Sequence, residues 1–85
     1  MIHPIFSVYD SKVSVFSSPF PQPNSAVAIR AFALAANTVG NDLYNYPTDF
    51  SLFQIGLFDD ETGHLSSISH VNHGPASQYK NQEAK

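Results

Sequence analysis

Eighty-five residues with no cysteine and a formal net charge of −3 describe one small domain that no disulfide holds together. Hydrophobic residues at 42% and charged residues at 13% place the chain among folded globular domains and exclude a disordered one. Only four Lys or Arg are present, which excludes strong electrostatic binding of nucleic acid, because such affinity grows with the number of phosphates neutralised.

The first residues, MIHPIF, lack a basic region followed by a long apolar core, so no secretory signal is expected. No apolar run reaches the length of a membrane span, so no transmembrane helix and no membrane partner are expected either. Pro4 to Asp10 and Val13 to Ser17 read as two short strands around Asp10-Ser11-Lys12. Val8, Tyr9, Val13, Val15 and Phe16 are the β-branched and aromatic types that strands favour. Pro19, Pro21 and Pro23 then break regular structure by removing donors and fixing backbone angles. Phe20 lies within this break and is expected to plug the core from a loop.

Asn24 or Ser25 is a good N-cap, since its side-chain oxygen can accept a hydrogen bond from a free backbone N–H. The run AVAIRAFALAAN that follows is rich in alanine, the best helix former, and Gly40 suits a stop a few residues beyond Asn37. At helical spacing Ile29, Phe32, Ala33 and Ala36 line one face, and Val27, Ala31 and Leu34 line much of the other. Arg30 is the only charge. One face should cover a sheet, and so apolar a helix implies that something covers the second, most easily another subunit; the alternative is that this second face is half-exposed alanine, which costs little.

Asn41 to Asp49 is a polar connection carrying Leu43, Tyr44 and Tyr46. A strand follows, with Phe53, Ile55 and Leu57 alternating on one face and Leu52, Gln54 and Phe58 on the other; Phe32, Phe53 and Phe58 are expected in the core. Asp59 to Gly63 is a turn, with Gly63 able to take the positive φ that closes a hairpin. His64 to Val71 is a serine-rich return strand at a sheet edge. The pattern is lost from Asn72, so residues 1–71 are predicted to form one domain and 72–85 a polar C-terminal tail.

Chemistry is sparse in this pattern. His64, His70 and His73 match no ligand spacing, and Asp59, Asp60 and Glu61 fit a turn better than a calcium loop or a carboxylate pair. No serine nucleophile elbow exists. No catalytic residue, metal site or cofactor is therefore assigned. Aromatic platforms can stack the bases of single strands while a few cations track the backbone. Phe16, Phe20, Tyr44 and Tyr46 lie in or beside loops, with Lys12 and Arg30 to supply charge.

Several segments taken in order resemble the small non-structural protein of gokushoviruses, tailless single-stranded DNA phages of the microvirus group. They are Val8-Tyr9-Asp10-Ser11-Lys12, Pro19-Phe20, Ala28-Ile29-Arg30-Ala31-Phe32 and the run PTDFSLFQIGLFDDETG from Pro47 to Gly63. The resemblance covers about Ile5 to Gly63, and the tail after His70 lies outside it. It implies a replication-phase phage protein of the host bacterial cytoplasm, absent from the finished capsid, associated with DNA and with making or packaging the genome. Asp10, Lys12 and Arg30 occupy its recurrent polar positions.

The fold expected is α+β, a small antiparallel sheet of about four strands in two hairpins with one helix packed on one face. The function expected is that of a non-enzymatic phage accessory protein in viral single-stranded DNA synthesis or packaging. It would act as a homo-oligomer that binds single-stranded DNA weakly, with Lys12, Arg30, Tyr44, Tyr46 and Phe20 as the contact residues. The alternative is an adaptor that docks a phage replication or capsid protein, or a host partner, without touching DNA.

Overall fold

A computed structural model describes residues 1–80. The elements run β1 (Ile2–Asp10), β2 (Val15–Phe16), β3 (Phe20–Pro21), α1 (Ser25–Ala36), α2 (Asp42–Asn45), β4 (Phe50–Asp59), β5 (Leu65–Pro75) and a terminal 3-10 turn, Ala76–Tyr79. The five strands form one antiparallel sheet in the order β2-β1-β4-β5, with β3 also paired to β1. This is the expected α+β fold with one main helix. The fifth strand comes from the proline-rich break, where Phe20 and Pro21 pair with Phe6 and Ile5.

Residues 15–22 close the outer edge of β1. Tyr9 and Asp10 pair with Phe16 and Val15, Ser17 N–H donates to the Val8 carbonyl at 2.8 Å, and Gln22 N–H donates to the Pro4 carbonyl at 3.2 Å. Ser7, fully buried, donates its hydroxyl to the Ser17 carbonyl at 2.8 Å, so the one buried polar side chain of this strand is satisfied. The first turn is longer than the sequence suggests. The Asp10 carboxylate accepts from Lys12 N–H at 2.9 Å, Ser14 takes φ +59°, and the return strand starts at Val15 instead of Val13.

Asn24 caps α1, its side-chain oxygen accepting from Val27 N–H at 2.9 Å. Ala28, Phe32, Ala33 and Ala36 are the buried face, joined by the half-buried Ile29. They pack with Phe6 and Leu52 of the sheet and with Ala76 and Tyr79 of the terminal turn. Burying Phe6, Phe32 and Leu52 stabilises the fold by roughly 1.5–3 kcal/mol each, and each alanine by less. The opposite face of α1, with Val27, Ala31 and Leu34, is exposed in the single chain.

Two expectations are corrected here. First, the domain does not end at Val71. β5 runs on to Pro75, and Ala76 and Tyr79 lie in the core, so residues 72–80 belong to the fold. The segment is polar in composition yet places one alanine and one aromatic ring where the helix and sheet leave a gap. Residues 81–85 of the predicted tail lie outside the described residues.

Second, β4 does not alternate strictly. The β1 ladder passes from Ile5–Gly56 to Phe6–Gln54, and the β5 ladder is irregular at the same place, so Ile55 is skipped in both. Such a bulge puts the residues beyond it out of step with those before it. Leu52 joins Phe6 under the helix, whereas Phe53 turns to the opposite face of the sheet. By pairing, Leu57 then follows the side of Pro4 and Phe58 the side of His3, the reverse of strict alternation.

Candidate functional site

The short helix α2 forms one corner of the molecule. Asn41 caps it, its side chain accepting from Tyr44 N–H at 3.1 Å, and Tyr46 ends it. Beside it opens a cleft of about 660 Å³ lined by Asp10, Lys12, Asp42, Tyr46, Asp49 and Phe50. The cleft forms because the turn after β1 is tied to the start of β4, Ser11 donating from both its N–H and its hydroxyl to the Asp49 carbonyl. Lys12 and Tyr46 thus share one concavity, and Tyr46 is 57% exposed there.

On the same helix, Tyr44 is half-buried and takes the Lys80 ammonium 3.7 Å from its ring centroid. That ammonium also donates to the Tyr44 carbonyl at 3.4 Å. A cation held over an aromatic face is attracted by the ring quadrupole. Lys80 falls in the segment that sequence reading assigned to a tail, so this partner was missed.

The remaining candidates lie elsewhere. Arg30 is exposed on the outer side of α1, away from the cleft. Phe20 packs against the core, its ring stacked 6.3 Å from that of Phe6, as a plug arriving from the proline-rich segment. The structure therefore gathers Lys12 and Tyr46, pairs Tyr44 with Lys80, and separates Arg30 and Phe20 from both.

A second aromatic feature was not legible in the sequence. On the face of the sheet turned away from α1, Tyr9, Phe16, Phe53 and His70 form a cluster of rings. Tyr9 and Phe16 are 4.7 Å apart, Phe16 and Phe53 5.6 Å, and Phe16 and His70 5.5 Å. The alternation of Tyr9 in β1 and Phe53 in β4 hinted at it. Only the pairing of four strands shows that these rings meet.

The histidines and acids distribute among separate structural roles. His73 lies 6.1 Å from the Phe6 ring, with its Nε2 enclosed and without a hydrogen-bond partner among the described residues. Asp59 and Gly63 close the β4–β5 turn, with Gly63 at φ +76°. Asp60 accepts from the Met1 ammonium at 2.7 Å, and His3 Nε2 lies 2.7 Å from its other oxygen. The hydrogen bond from the ammonium, followed by that to His3, holds Asp60 below the usual carboxylate range. The same bond raises the Met1 ammonium above its ordinary value. Among the described residues no three His, Asp or Glu side chains are grouped so as to hold a metal ion.

No curated protein and no solved structure matches this chain. Residues 3–76 match the family described as Phage ORF5 protein, a span that includes the whole sheet but for Ile2, both helices and the cleft, and the chain belongs to that family.

Proposed function

We propose that this phage protein is the gokushovirus small non-structural protein and that it serves as a non-enzymatic accessory factor in viral single-stranded DNA synthesis or packaging. It binds single-stranded DNA weakly at the α2 corner, in the host cytoplasm. The observation that carries the reading is the gathering of Lys12 and Tyr46 in one open cleft, with the Lys80 ammonium held over Tyr44 of the adjoining short helix. The exposed Tyr46 offers a face to unpaired bases, and the lysines offer charge to the backbone. Asp10, Asp42 and Asp49 line the same cleft, so affinity per subunit is low. Linking subunits raises avidity without any new contact.

Those three carboxylates also favour a second reading, an adaptor that receives a basic segment of a replication or capsid protein. Fluorescence anisotropy of a labelled single-stranded oligonucleotide at low salt separates the two. Saturable binding that salt abolishes supports the DNA reading. A flat signal at about 1 mM protein, above the roughly 10⁻⁴ M weak end of non-specific affinities, rejects it and favours the adaptor.

A further inference from the structure

Away from the cleft, one large surface is without a role, the face of the sheet that carries the ring cluster. We propose that this face is a homodimer interface, on which a second copy of the chain packs sheet to sheet. The inference does not rest on the DNA reading, which concerns a different surface.

Three observations favour a second copy as the occupant. The first is charge. Across the middle of the face, Ile5, Tyr9, Phe16, Phe53, Ile55 and His70 carry no lysine, arginine or carboxylate. The acids sit at the two ends, Asp10, Asp42 and Asp49 around the cleft and Asp59, Asp60 and Glu61 in the β4–β5 turn. A two-fold interface sets each residue near its own symmetry mate, so a charge at the centre would meet its like. This face has none to repel. A nucleic-acid backbone would instead need cations there, and among the described residues it finds none.

The second is anatomy. Stable interfaces place aromatic residues at an apolar centre and charged residues at the rim. Here Phe16 is 39% exposed amid the cluster, and beside it Ile5, Pro19, Ile55 and Leu65 line an apolar groove of about 370 Å³.

The third is area. The molecule is a slab of 39 × 30 × 20 Å, so its broad side offers about 1,200 Å², and a standard interface takes about 800 Å² from each partner.

Sedimentation equilibrium of the full chain from about 1 to 500 μM tests this, a range that brackets the micromolar affinities expected of a modest interface. The wild type is expected to be a dimer in the upper part of the range. Phe16→Glu and, independently, His70→Glu should each weaken association at least about tenfold while far-UV circular dichroism stays unchanged. Leu34→Ser, on the outer side of α1, should leave it unaltered. A wild type that stays monomeric throughout overturns the proposal. So does dissociation caused by Leu34→Ser and not by the folded sheet-face variants. A monomer whose oligonucleotide binding is lost in His70→Glu would overturn it too, and would assign the face to nucleobases.

Discussion

The ring of Tyr79 stands edge-on to that of Phe32, centroids 5.9 Å apart and planes at 81°, so the end of the described chain is locked to the middle of the helix. The lock has two further ties. The Tyr79 hydroxyl donates to the His73 carbonyl, and the Asn37 side-chain amide donates to the carbonyls of both Ala33 and Tyr79, at 2.8 and 3.0 Å. Strand, helix and terminal turn therefore share one residue.

Replacing Tyr79 by alanine should cost about 3–5 kcal/mol, the range for removing a buried aromatic ring. Tyr79→Phe, which keeps the ring and loses only the hydroxyl bond, should cost about 1 kcal/mol. Urea unfolding of both variants checks the ratio. Equal losses would mean that packing against Phe32 contributes little.

Gly56 is required for a different reason. A Cβ there would lie 2.6 Å from the Ser66 carbonyl oxygen, a backbone atom that cannot move aside without disturbing the β4–β5 ladder. Gly56→Ala is expected to destabilise by about 1–3 kcal/mol, in the range for overpacking, and to broaden amide resonances around Ile55 and Ser66. Thermal melts and a heteronuclear correlation spectrum give the result. A variant as stable as the wild type would show that the bulge yields freely.

The contact between Met1 and Asp60 sets a pH window. Asp60 is held below its ordinary value of 3.8, so its contribution is present above that value and is lost as pH falls through the lowered one. The Met1 ammonium is raised above 8.0, so its contribution is complete below that pH and is lost as pH rises through the raised value. Both groups are exposed and screened by salt, so the effect is small. In low salt, the stability difference between wild type and Asp60→Asn should be largest between these two values and shrink on either side. A difference independent of pH would show that the ion pair is not its source.

Lys12 and Tyr46 make separable predictions for DNA. Lys12→Gln should lower the dependence of log affinity on log salt by about 0.7, the increment for one phosphate of a single strand. Tyr46→Ala should weaken binding by about 1–3 kcal/mol without changing that slope, since stacking releases no counterions. Arg30→Gln, across the molecule, should do neither. Equal effects of Arg30 and Lys12 would move the site away from the cleft.

The elements of this fold were legible because their causes are local. Asn24 caps a helix through a donor three residues away, alanines favour α1, and Gly63 closes a turn that Asp59 begins. Those features establish two hairpins, one helix and an apolar outer side without reference to anything distant. What the tertiary structure decided depends on pairing between distant residues. The skip at Ile55 sends Phe53 to the face opposite Leu52, and no periodicity within β4 announces it. Tyr9, Phe16, Phe53 and His70 meet because four strands align in one register. Ala76 and Tyr79 enter the core because the helix leaves a space that only they are placed to fill. Composition set these last residues down as a tail, since a single buried ring among polar neighbours carries no pattern until its partner Phe32 is in place.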